Sequence, residues 1–254
     1  MRPAVRRVVA PIVGIVTFVL LWELAVEVFD IRRFVLLPPS AIVDTLTATP
    51  GFYWDNALVT VRHVVVGMSV SLLLAIVVGS FMAASRFVEE ATQPVLILVL
   101  VTPWVAYITS VVLWLDGGDP TIYFMVAFTS FPVFTFGVVG GMKSADPAAR
   151  ELLASVDARP WEVFWRLRLP AALPSIFTTA RFAVGLGLAA AYFAEGSALT
   201  TDGLGAIGRR AASFNDAEVL WTTIVCSALL GIAGLMVVSG LERVLLRWHV
   251  SQRS

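Results

Sequence analysis

The sequence predicts an all-α integral membrane protein with six transmembrane helices and a cytoplasmic two-helix hairpin. Three observations carry this: the shortage of charge, the length of the uncharged stretches, and the side on which basic residues gather. Of 254 residues, 58% are hydrophobic and 14% charged, against about 25% charged in an ordinary soluble domain. Such a composition excludes a typical water-soluble globule. Eighteen Lys+Arg balance eighteen Asp+Glu, so no basic excess points to nucleic acid and no acidic block to disorder. A single cysteine, Cys226, excludes an intrachain disulfide, and His63 and His249 lie too far apart in sequence to form a metal cluster by themselves. No metal or other cofactor is expected.

A helix needs about 20 apolar residues to cross the hydrocarbon core. Val8 to Trp22 supplies fifteen uncharged residues and continues through Glu23 and Glu27 towards a membrane edge. Its leading arginines imitate a secretory signal, but no clear small-residue cleavage site precedes Trp22, so it reads as a retained first helix. Val64 to Ser85, Ala91 to Leu115, Pro120 to Met142 and Val219 to Leu241 each span without help. Ala171 to Ala194 also spans, interrupted only by Arg181. Helices satisfy every backbone group inside lipid, and the alternating pattern of an outer-membrane barrel is absent.

Orientation follows from the basic residues of the connections, which favour the cytoplasmic side. Arg2, Arg6, Arg7, Arg86, Lys143, Arg150, Arg159, Arg166, Arg168, Arg243, Arg247 and Arg253 fall on one side of the six-span arrangement. Arg32, Arg33, Arg62, Arg209 and Arg210 fall on the other. Both termini are therefore expected in the cytoplasm, and residues 1–254 form a single transmembrane domain. The outer connection Gly196 to Glu218, with Gly203, Gly205 and Gly208, is too long for a plain tight turn.

The inner connection, about residues 143–173, reads as two short amphipathic helices. Asp146 followed by Pro147 is an N-cap and first-position signal, and Ala149, Leu152, Leu153 and Val156 then share one face. The first helix is expected to end near Asp157. Pro160 opens the second, with Glu162 near its positive end and Arg166 and Arg168 near its negative end. Trp161, Phe164 and Trp165 share its apolar side. By pattern alone the hairpin either lies on the lipid headgroups or docks a cytoplasmic partner.

Glu151-Leu152-Leu153, three residues, Asp157, nine residues, Leu167, one residue, then Leu169-Pro170 has a recognisable spacing. It resembles the EAA signature of binding-protein-dependent ABC importer permeases: Glu-Ala-Ala, x3, Gly, x9, Ile, x, Leu-Pro. From Leu37 to Trp248 further pieces are similar to the nitrate/sulfonate/taurine branch. They are Leu37-Pro38-Pro39-Ser40, Pro170-Ala171-Ala172-Leu173-Pro174, Arg181, Ala194-Glu195, Gly203-Leu204-Gly205 and Leu241-Glu242-Arg243. Leu152 and Leu153 replace the signature's two alanines, Asp157 its glycine, and Asp116-Gly117-Gly118-Asp119 stands for a Gly-x-Gly-Glu-like connection. Asp157 can visit the left-handed conformation, though less cheaply than glycine.

The resemblance implies a type I importer-like permease in a prokaryotic inner membrane. Two copies of this subunit, as a homodimer or pseudo-symmetric dimer, would form the pathway. Two cytoplasmic ABC ATPase subunits would bind the hairpins through Glu151, Leu152, Leu153, Val156, Asp157, Leu167, Leu169 and Pro170. An extracytoplasmic binding protein would deliver a small solute of the sulfonate, nitrate or vitamin-precursor class. The chain itself would catalyse nothing, and it carries neither a phosphate-binding loop nor a Ser/His/Asp or Cys/His constellation. A stand-alone six-helix carrier or channel is the competing reading, and it leaves the hairpin without a purpose.

Arg181 most needs explanation within the spans, since a central arginine costs about 2.5 to 3.5 kcal/mol on insertion scales. It either pairs structurally or faces the solute route. Trp104, Tyr107 and Trp114 recur along one side of the third span, where they either pack on neighbours and lipid or, for Trp104 and Tyr107, line the route. Pro103 predicts a bend beside Trp104 and Pro132 an irregularity in the fourth span. Glu195 is expected at the outer interface, Glu23 and Glu27 as packing polars of the first span, and Cys226 as a small buried apolar residue.

Overall fold

The computed structural model describes residues 3–246, and among these the secondary structure is helical throughout. Arg2, Arg247, Trp248, His249 and Arg253 lie outside the described residues. Helix α1 (Pro3–Val28) runs past its uncharged stretch and carries Glu23 and Glu27 near its end. The Glu23 carboxylate accepts from the backbone N–H of Ser40 at 3.0 Å and from its hydroxyl at 2.6 Å. Ser40 is the second residue of α2 (Pro39–Ala48), a helix too short to span. Pro39 opens α2 without needing a partner for an N–H, and Glu23 serves the next free donor.

Helix α3 (Pro50–Ala84) has 35 residues, so its first turns extend beyond the Val64–Ser85 stretch. The third span is broken. Helix α4 (Arg86–Val101) stops, Thr102 is extended, a 3-10 turn covers Trp104–Tyr107, and α5 (Ile108–Leu115) leaves at 87° to α4. Pro103 causes this, because its ring pushes Thr102 out of the helical region and removes a backbone donor. The Thr102 hydroxyl donates to the carbonyl of Leu98 at 2.7 Å.

Helix α6 (Gly118–Lys143) passes through Pro132 without interruption, so the irregularity expected there is absent. It is also the most enclosed of the long helices: 67% of its most apolar stretch is buried, against 6% for that of α1 and none for that of α11 (Ala217–Leu245). Helices α3, α6 and α9 (Leu169–Ser197) form the centre. They approach closely through small residues, the usual means by which membrane helices pack. A Cβ on Gly67 would lie 2.5 Å from that of Val126, and one on Gly141 would lie 2.6 Å from Cα of Ala172. Some buried hydroxyls are satisfied within their own helices, Thr135 donating to Phe131 O at 2.8 Å and Thr222 to Glu218 O at 2.7 Å, whereas those of Ser71, Thr121 and Ser130 have no partner among the described residues. Cys226 is buried, as expected.

Among the described residues five helices are long and apolar enough to cross a membrane, and the bent α4–α5 pair, taken as one span, makes a sixth. The outer connection contains α10 (Leu204–Ser213), an amphipathic helix.

Candidate functional site

The hairpin begins with α7 (Pro147–Ser155), whose N-cap Asp146 accepts from the N–H of Ala148 at 3.0 Å. It closes through Asp157, which has φ of 50°. The N–H of Ala158 donates to Leu153 O at 3.0 Å and that of Asp157 to Ala154 O at 3.1 Å. This pair of bonds is a Schellman closure, which demands a left-handed residue at Asp157. The signature places glycine there for the same conformation. Glu151 and Asp157 are exposed, Leu153 is half-buried, and Leu152 and Val156 are 66% and 67% exposed. An apolar stripe on a charged helix thus lies uncovered.

Pro160 opens α8 (Pro160–Val163), and Glu162 accepts from the Arg159 N–H at 2.9 Å. The second hairpin helix does not end, however. It continues through a π-helical turn at Phe164–Arg168 into α9, so Arg166 and Arg168 do not sit at a helix C-terminus. Pro170 has no N–H for the carbonyl of Arg166, and the widened turn accommodates this, with the N–H of Leu169 reaching Phe164 O instead. Phe164 and Leu169 pack against the buried cluster that contains Met142, Ala172 and Ile176, which anchors the base of α9. Glu151, Leu152, Leu153, Val156 and Asp157 therefore group on α7 and its closing turn, while half-buried Leu167, Leu169 and Pro170 belong to the base of α9.

At the break in the third span, Trp104 meets Phe193 of α9 edge-on with ring centroids 5.8 Å apart. Tyr107 meets Phe128 at 5.5 Å, Phe128 stacks on Phe124 at 5.7 Å, and Phe124 meets Trp114 at 5.5 Å. The bend thus seats its aromatics on α6 and α9. Arg181 is not among them, lying twelve residues before Phe193 on α9, about 18 Å along the helix. Its guanidinium instead donates to the carboxylate of Glu242 on α11.

A polar cluster near the other end of α9 escaped the sequence reading. Glu195 is 1% exposed, enclosed by protein. One of its oxygens lies 2.8 Å from His63 Nδ1; the other accepts from Thr60 Oγ1 at 3.0 Å and from the Gly205 N–H at 2.8 Å. His63 Nε2 lies 3.3 Å from Asp119, which also pairs with Arg62. Gly203, at φ of 105°, lets the chain wrap the carboxylate, since a Cβ there would lie 2.6 Å from Glu195 Cδ. The cluster ties α3, α6, α9 and the start of α10 together. The signal for it in the sequence is a carboxylate within an apolar helix, which like Arg181 needs a partner there.

The family described as binding-protein-dependent transport system inner membrane component matches residues 71–248. The formylaminopyrimidine transport permease protein of Halalkalibacterium halodurans is 26% identical over 243 residues, 95% of this chain and 96% of that protein. The taurine transport system permease protein of Escherichia coli is 25% identical over 254 residues, covering 97% and 92%. The putative aliphatic sulfonates transport permease protein of the same organism is 29% identical over 245 residues, covering 95% and 92%.

Proposed function

The chain belongs to the binding-protein-dependent transport system inner membrane component family, and from that premise we propose how it works within its transporter. It is a multi-pass permease subunit of an ATP-binding-cassette importer. In the proposed assembly two copies enclose the solute route, two separate ATPase subunits grip the hairpins, and an external binding protein delivers solute. Both termini and the hairpin are cytoplasmic, and the membrane is a prokaryotic inner membrane.

The observation that carries this reading is the uncovered stripe of Leu152 and Val156 on α7, beside half-buried Leu153. A free cytoplasmic helix seldom leaves such a stripe in water, and an ATPase groove would bury it. Glu151 is the polar anchor at its rim, setting orientation more than affinity. Closure of the ATPases on ATP draws the hairpins together and, because α8 runs into α9 without a break, moves α9 directly. ATP and solute each shift the transport equilibrium by their differential affinity for its two states.

Trp104 and Tyr107 at the α4–α5 bend form part of the solute route, where a broken helix has backbone carbonyls to offer. Arg181, held by Glu242, braces α9 against α11; the ion pair supports that role over solute contact. The solute is a small molecule of the sulfonate, nitrate or vitamin-precursor class, in keeping with the named solutes of the relatives. Purification of the tagged chain from its native membrane, without crosslinker, tests the assembly. An ATPase is expected in equal amount; transport by the permease alone, without ATP, would establish the carrier reading instead.

A further inference from the structure

Between the last turn of α3, helix α7 and the base of α9 lies an open cavity of about 560 Å³. Phe81, Ala84, Trp161 and Phe164 give it apolar walls, and its two charged residues are Arg150 and Arg168. Neither guanidinium has a hydrogen bond or ion pair among the described residues. By contrast Arg86, Lys143, Arg166 and Arg181 each hold a carboxylate. Arg150 is exposed and Arg168 half-buried, so two unpaired, positively charged guanidiniums face one open, largely apolar cavity, which favours an anion there. Their planar forks suit a phosphate in particular.

The walls specify the rest of the ligand. Phe81 and Ala84 stand where α3 leaves its apolar stretch, Phe81 one turn before Ser85 and Ala84 next to it, and Phe81 is 64% exposed. Trp161 is 63% exposed at the same end, a position typical of interfacial aromatics. An anion seated here therefore lies at headgroup depth with apolar surface leading away from it. We infer that Arg150 and Arg168 bind the phosphate of an anionic phospholipid from the hairpin-side leaflet, its acyl chain lying along Phe81. This rests on the cytoplasmic placement of the hairpin, since anionic lipid is enriched in that leaflet. The lipid touches α3, α7 and the base of α9 together, so it stiffens the hairpin against the membrane body.

The test uses the permease–ATPase complex in detergent, offered phosphatidylglycerol or phosphatidylcholine with the same acyl chains, and reads bound lipid by native mass spectrometry. Wild type is expected to keep one phosphatidylglycerol per permease copy, with no retained phosphatidylcholine and no displacement by millimolar inorganic phosphate. The Arg150→Gln/Arg168→Gln variant is expected to lose at least tenfold in retention. Leu153→Asp, which sheds the ATPase if the hairpin is its socket, is expected to keep the lipid. Undiminished retention by the double arginine variant overturns the proposal. So does loss of the lipid from Leu153→Asp, which would assign the arginines to the ATPase contact, and so does displacement by phosphate, which would make this a site for free anions. An ATPase still bound to Leu153→Asp counts against the coupling reading and leaves the lipid result standing.

Discussion

Asp157 condenses the relation between sequence and structure into one residue. The Schellman closure of α7 requires φ near 50° at this position, and the chain fills it with aspartate where the signature has glycine. Aspartate tolerates the left-handed region better than most residues but less well than glycine, and its charge opposes the helix dipole. Asp157→Gly is therefore expected to leave thermal stability unchanged or to raise it by up to about 1 kcal/mol. Asp157→Val, whose branched side chain resists positive φ, is expected to lower it by about 1 to 2 kcal/mol. Thermal unfolding of the purified variants checks both, and equal stability of the glycine and valine forms would contradict the account. This position was legible beforehand because its geometry is local. The partner of Arg181 was not, since Glu242 lies 61 residues away and only the packing of α9 on α11 brings it within reach.

Elements show the same division. The break at Pro103, the start of α7 at Asp146 and the start of α8 at Pro160 follow from backbone chemistry of neighbouring residues, and all three stand in the structure. The fusion of α8 into α9 did not follow, because the anchoring of Phe164 and Leu169 is a tertiary matter. Nor did the Glu195 cluster, whose histidine lies 132 residues before its carboxylate. That cluster makes one unit of four helices at the end opposite the hairpin. Removing the carboxylate leaves His63 Nδ1 and the Gly205 N–H without their partner, while Thr60 keeps the Asn56 carbonyl and His63 Nε2 keeps Asp119, so Glu195→Ala is expected to cost about 2 to 3 kcal/mol of stability. Glu195→Gln, which keeps an acceptor, is expected to cost less, and thermal unfolding separates the two. An alanine variant as stable as wild type would mean that these contacts do not hold the helices.

At the scale of the whole molecule, the proposed orientation in the bilayer and the proposed contact of the hairpin with an ATPase each make a prediction. The twelve-to-five distribution of basic residues between the two sides predicts which surface an impermeant reagent reaches. In a Cys226→Ala background, cysteine at exposed Asp202 is expected to react with an impermeant maleimide in intact cells. Cysteine at exposed Ser155 is expected to react only after lysis; labelling at Ser155 before lysis would invert the arrangement. The central claim, that ATP hydrolysis reaches the membrane helices through α7, is tested most directly by solute-stimulated ATP hydrolysis in liposomes containing permease, ATPase and binding protein. Leu153→Asp buries a carboxylate in the proposed contact and is expected to lose at least tenfold in ATPase attachment and with it the stimulation. Glu151→Ala is expected to keep the ATPase attached while stimulation falls severalfold. If both variants keep wild-type attachment, stimulated hydrolysis and uptake, the hairpin is not the coupling element.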